Sequence, residues 1–149
     1  MISQGYLVFH LNLSFSSIEE DERTDVINRC YHPLLKLIEK TCFPIGIELT
    51  GSTLNEIEKL DKEWISKFKE LLHSGECELI GSGYSQIIGP LVPHTVNSWN
   101  QSLGHDVYKK VLGTKPKISL VNENAFSQSL VDLYHKFNYQ GLILDRNNA

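Results

Sequence analysis

The 149-residue chain is poor in the features that mark several common protein classes. Its three cysteines, Cys30, Cys42 and Cys77, are odd in number and lack Cys-x-x-Cys spacing, so neither a disulfide framework nor a zinc knuckle is expected. Reduced thiols in the cytoplasm are the simplest reading. No apolar run approaches the ~20 residues that span a bilayer, and MISQGYLVFHLNLSF has neither a basic leader region nor a small-residue cleavage site. That segment reads as a first strand, and no membrane partner is expected. The 14 basic and 18 acidic residues are mixed along the chain, with no basic block to neutralise a phosphate backbone, so nucleic acid is not an expected partner either. His32, His73, His94, His105 and His135 are scattered, none at the i, i+4 spacing of a helical metal site; no metal or cofactor is expected. The glycines Gly81, Gly83 and Gly89 precede no Lys-Ser/Thr and open no helix, which excludes a phosphate loop.

What is present suits one globular domain. At 41% hydrophobic residues the chain can build a real core, burying roughly two-thirds of its surface on folding. YLVFHLNL (Tyr6 to Leu13) reads as a strand. From about Asp21 to Cys42, apolar residues at Val26, Ile27, Cys30, Leu34, Leu35 and Ile38 follow a helical period that His32-Pro33 should kink or divide. PIGIELT is the second strand. The following helix carries Leu54, Ile57, Leu60, Trp64, Ile65, Phe68, Leu71 and Leu72, with a capping box expected from Thr53 and Glu56 and a stop at Gly75. CELIGSG is the third strand, and a long loop leads to a helix from about Val96 to Leu112. ISLVNE is the fourth strand, Phe126 to Phe137 a fourth helix and GLILD the fifth strand. The acidic run Glu19 to Glu22 reads as a solvated helix start.

Strands and helices alternate, the strands are short and apolar on both faces, and no Asn-Gly turn joins two of them. This predicts an α/β fold of parallel βαβ units. Five strands fall short of a closed barrel. The expectation is therefore an incomplete (β/α) barrel, the N-terminal portion of a domain that continues beyond residue 149, with an open sheet as the alternative.

In such folds ligands bind at the C-terminal ends of the strands. The polar residues there are His10 and Asn12, Glu48, Ser82, Tyr84 and Gln86, Asn122 and Glu123, and Asp145. Carboxylates, amides and an aromatic face suit sugars, and retaining glycosidases place two carboxyl groups about 5 to 5.5 Å apart. Adjacent strands about 4.8 Å apart could bring Glu123 and Asp145 to that separation. Each residue also has a structural reading: a carboxylate at a strand end can be a helix N-cap or a loop ion-pair partner, His10 a hydrogen-bonded core histidine, and Tyr84 a loop packing residue.

Four segments, the strand with His10, IGIELTGSTLNEIEKL, ELIGSGYSQIIGPLVP and GTKPKISLVNENAFSQSLVDLYHKFNYQGLILD, resemble the N-terminal part of the catalytic domain of glycoside hydrolase family 57. The resemblance implies an incomplete β/α barrel related to the polysaccharide deacetylases, cleavage or transfer of α-glucans with retention, and an oligosaccharide or polysaccharide substrate. It places Glu123 as catalytic nucleophile, with His10, Asn12, Glu48, Tyr84, Gln86, Asn122 and Asp145 as substrate-binding residues. It departs at two motifs. The family's His-x-His-Gln-Pro run reads His10-Leu11-Asn12-Leu13-Ser14 here, and Gln86 stands where a glutamate or histidine is common. The general acid it implies is an aspartate on a later strand, beyond residue 149, so Asp145 is not assigned that role. A non-catalytic carbohydrate-binding or accessory domain of the same fold is the alternative, and self-association of this length of chain is expected from an uncovered sheet edge.

Overall fold

The computed structural model describes residues 5–41, 43–145 and 147; Cys42, Arg146, Asn148 and Ala149 of the expected elements and tail lie outside them. Five strands, β1 (Leu7–Leu11), β2 (Ile45–Leu49), β3 (Glu78–Gly81), β4 (Ile118–Leu120) and β5 (Gly141–Ile143), form one sheet in the order β1-β2-β3-β4-β5, with every neighbouring pair parallel. Helices fill each crossover: α1 (Arg23–Val26) and α2 (His32–Lys40), then α3 (Gly51–Leu60) and α4 (Lys62–Ser74), then α5 (His94–Leu112), then α6 (Val131–Lys136). Sequential strand order with a helix in every crossover is the winding of a β/α barrel. Among the described residues β1 and β5 do not pair, so the sheet stays open.

The pleat explains how the two faces divide. Leu11, Ile47, Leu49 and Leu79 turn toward the helices and pack with Leu35, Ile38, Leu54, Ile57, Trp64, Phe68, Tyr108 and Leu112 in the main core. Trp64 and Phe68 are fully buried, each side chain contributing roughly 1.5–3 kcal/mol of apolar transfer. The intervening residues face the other way in register, His10 beside Glu48, Glu48 beside Ile80 and Ile80 beside Ile118. A polar pair thus lies on the inward face.

Local details differ from the sequence-based expectation where capping chemistry offered several solutions. The single helix expected after β2 breaks at Asp61 (φ −150°, ψ 90°), whose side chain accepts from the Trp64 N–H to cap α4. Thr50 caps α3 by accepting from the Thr53 N–H, so Thr53 is a donor and the expected Thr53–Glu56 box does not form. Glu56 pairs instead with Lys59 at 2.6 Å and Arg23 at 3.5 Å. The helical stretch divides at His32-Pro33 as expected, in the form of a π-helical turn over Ile27–Tyr31 followed by α2, which carries Pro33 in its first turn. Gly75 ends α4 in the left-handed region as expected, at φ 76°.

Candidate functional site

The inward face of β1 and β2 carries a chain of polar side chains. His10 Nδ1 bonds the Oε2 of Glu48, and Glu48 is fully buried while 41% of the His10 side chain is exposed. Glu48 therefore lies behind His10. Gln86, on the loop after β3, reaches back to the other His10 nitrogen, Nε2, at 2.9 Å, and its Oε1 accepts from Asn12 Nδ2 at 3.1 Å. Asn12 is tied in turn to its own loop, its Oδ1 accepting the Ser14 N–H at 2.9 Å. The hydrogen bond to Glu48 raises the His10 pKa above its ordinary value, partial burial opposes this, and the negative charges of Glu48 and then Glu123 add to the rise. Glu123 is thus close enough to His10 for its charge to be felt there.

Glu123 follows β4 in a tight turn over Asn122–Asn124 that is not helical at Glu123. Glu123 (φ 55°) and Asn124 (φ 52°) both lie in the left-handed region without being glycine. Such conformations cost of order 1–3 kcal/mol each and persist where the surroundings over-determine them. The expected helix does not open at Phe126: after an extended Ser127, a 3-10 turn over Gln128–Leu130 leads into α6 at Val131. Glu123 accordingly caps no helix, and its side chain lies at the exposed surface. The two flanking amides are engaged elsewhere: Asn122 Nδ2 donates to the Ser82 carbonyl at 3.1 Å, and Asn124 Oδ1 accepts from the Asp145 N–H at 3.0 Å. They fix the turn to β3 and to the residues after β5 rather than donating to the carboxylate.

Asp145 is thereby held by its backbone beside the Glu123 turn, and its Oδ1 accepts from the Asn147 N–H at 2.8 Å. Tyr84 departs from the cluster. Its ring lies against Gly51 at the start of α3, and its oxygen is within electrostatic reach of Lys59, in the manner of a packing residue. Buried polar atoms without a partner gather on the same strand ends: Glu48 Oε1, Ser82 Oγ and Asn122 Oδ1. Among the described residues no group of three His, Cys, Asp or Glu is placed to hold a metal ion.

Sequence reasoning missed the residues that hold the loop carrying Gln86. Asn100 on α5 accepts the Ser85 N–H at 2.8 Å and donates to the Ser85 carbonyl at 3.0 Å, while its backbone carbonyl accepts the Tyr84 N–H. Gly104 lets α5 come this close, since a Cβ there would stand 2.5 Å from the Gly83 carbonyl carbon. Tyr108, fully buried, sets its hydroxyl 2.7 Å from the Leu49 carbonyl and 3.1 Å from that of Gly83, and the Ser82 N–H donates to it. All three sit in α5, which mixes Asn, Gln, His and Tyr into its buried face, the one available signal. His105 belongs to the core: its ring meets Tyr139 edge-on, and burial, aided by Lys115, pushes its pKa down to about 4.

The family model for glycosyl hydrolase family 57 matches residues 6–149. A Methanocaldococcus jannaschii protein provisionally named alpha-amylase is 26% identical over a match that covers 74% of the chain and 26% of that protein. The 4-alpha-glucanotransferase of Thermococcus litoralis shares the fold with a TM-score of 0.78 at 18% identity, covering 94% of this chain and 22% of the enzyme. An alpha-amylase of Thermotoga maritima superposes with a TM-score of 0.77 at 15% identity, covering 97% of this chain and 40% of that one. A family 4 carbohydrate esterase from Streptomyces lividans has the same fold at TM-score 0.67 and 14% identity, covering 98% of this chain and 67% of the esterase. The chain thus spans about a quarter of the curated relative it matches.

Proposed function

The chain belongs to glycosyl hydrolase family 57, and from that premise we propose that it supplies the nucleophile side of a retaining site that cleaves or transfers α-glucans, with Glu123 as the nucleophile. The observation that carries this reading is the turn at Asn122–Asn124, where a glutamate with no helix to cap is held left-handed at the C-terminal end of a parallel strand, near His10. Strained backbone positions cluster at functional sites. The names of the relatives, alpha-amylase and 4-alpha-glucanotransferase, support an α-glucan as substrate.

In the reaction the Glu123 carboxylate attacks the anomeric carbon while the bond from that carbon to the leaving oxygen breaks and an acid protonates the oxygen. The glycosyl ester on Glu123 then passes to water or to a sugar hydroxyl, and the carboxylate is restored. Asp145 is not assigned the acid role; its Oδ1 accepts the Asn147 N–H. His10, Asn12 and Gln86 form a polar edge beside Glu123 to which sugar hydroxyls can bond, with Glu48 buried behind His10.

A non-catalytic carbohydrate-binding domain is the second reading, favoured by the way His10, Gln86 and Asn12 bond one another instead of standing free. Glu123→Gln in the whole protein separates the two. The nucleophile reading expects turnover of an α-glucan to fall by about 10⁴-fold or more with binding retained and stability within about 0.5 kcal/mol. Undiminished turnover by a folded mutant removes Glu123 from the mechanism.

A further inference from the structure

The hydrogen bonds from Ser14 to Glu48 run in one direction only. A backbone N–H can only donate, so the Ser14 N–H fixes which end of the Asn12 amide is oxygen. Asn12 must then present its NH₂ group to Gln86, which must answer with Oε1. That leaves the Gln86 NH₂ group facing His10 Nε2 at 2.9 Å, and two donors cannot face each other. His10 Nε2 must therefore be the bare, accepting nitrogen, and the ring proton sits on Nδ1, donated to the buried carboxylate of Glu48.

We propose that Asn12 and Gln86 are positioning residues that set the protonation of His10, holding it as the neutral Nδ1–H tautomer through a relay anchored at the Ser14 N–H. Adding a proton to His10 Nε2 requires Gln86 to turn over, which sets its NH₂ against that of Asn12 unless Asn12 releases Ser14. Each step breaks a bond, so the relay opposes a charge that the carboxylates favour. Glu48 from β2 bonds the ring and Glu123, in the turn after β4, acts on it through its charge; the loops after β1 and β3 contribute the neutral Asn12 and Gln86. Above its pKa, His10 then offers an uncharged ligand such as a sugar a fixed and neutral edge, with no proton to give.

The inference concerns His10 alone, and it is read by a spectroscopic signal rather than by turnover, so its failure leaves the role of Glu123 untouched. The test is the ring ¹⁵N spectrum of His10 against pH in the intact ¹⁵N-histidine-labelled protein, with the signal identified by its loss in His10→Gln. Above the titration, the wild type should show protonated Nδ1 and bare Nε2. Asn12→Ala frees Gln86 to turn its oxygen to His10, and Asn12→Asp keeps the Ser14 bond but gives the Gln86 NH₂ a new acceptor. Both should raise His10 proton affinity at least threefold, a shift of half a pH unit or more. Gln86→Glu should go furthest and leave the ring doubly protonated at neutral pH.

Protonated Nε2 in the neutral wild-type ring overturns the proposal. So does an effect of Asn12→Asp alone, which reads added charge, or of Asn12→Ala alone, which reads a loosened loop. No effect of either, or an unchanged ring in Gln86→Glu, overturns it as well. Asn12 and Gln86 lie at or near the surface, so the backbone amide spectrum of each variant should remain that of the folded wild type.

Discussion

At the scale of single residues, Glu123 bears a conformational cost. A glutamate at φ 55° followed by an asparagine at φ 52° holds strain that Asn tolerates better than Glu. Glu123→Asn should therefore leave the protein at least as stable, with a gain of up to about 1 kcal/mol in denaturant unfolding. A loss of about 1 kcal/mol, the usual effect of deleting a cap or a loop bond, would contradict the strained reading. Sequence alone could place a carboxylate at this strand end but could not announce the turn, because Asn-Glu-Asn contains no glycine to signal a positive φ. The relay was hidden for a different reason: Asn12 and Gln86 are 74 residues apart and meet only once β1 and β3 are drawn into one sheet.

At the scale of elements, the strands, their parallel sense and the stop at Gly75 follow from apolar runs and one glycine, and these were legible. Boundaries were not, because Thr50, Ser52 and Thr53 are all good caps and only tertiary contact chooses among them. The choice falls to Thr50 where the Gly83 and Tyr84 carbonyls accept the Gly51 and Ser52 N–H groups from across the sheet end. Asp61 was overlooked because no Gly or Pro marks the break it makes. Its carboxyl is pulled up by burial, but the Trp64 N–H and then His32, 2.8 Å away, outweigh this and hold it below the ordinary value. A group whose pKa is lowered on folding adds stability above its unfolded value near 4 and loses it as pH falls through the lower folded value. Asp61→Ala should accordingly cost about 1 kcal/mol at neutral pH, and that difference should shrink in acid below about pH 4, as read from melting against pH. A difference that widened in acid would contradict the assignment. Tyr108→Phe should cost about 1–3 kcal/mol, because the hydroxyl that bridges the ends of β2 and β3 is buried and the Leu49 carbonyl and the Ser82 N–H would lose it as a partner. Unchanged unfolding of that variant would show the bridge to be dispensable.

At the scale of the whole molecule, the described residues leave β1 and β5 as sheet edges, with Leu7, Leu37 and Phe43 exposed near the first. Unpaired edges and apolar surface promote association. A polypeptide of residues 1–149 made on its own should therefore sediment as a concentration-dependent mixture rather than as a clean monomer, and a monomer at all concentrations would contradict this. The sheet matters to function because parallel strands in sequential order deliver His10, Glu48, Gln86 and Glu123 to one end from four separate stretches of chain. In the proposed reaction Glu123 forms the covalent bond to sugar. This step is tested most directly by reacting the whole protein with a fluorinated glucosyl fluoride, which forms the glycosyl ester quickly and releases it slowly, and then mapping the added mass by peptide mass spectrometry. One glucosyl adduct is expected, on the peptide Ile118 to Lys136 and localised to Glu123; an adduct on any other carboxylate, in a protein that turns over an α-glucan, would rule Glu123 out as the nucleophile.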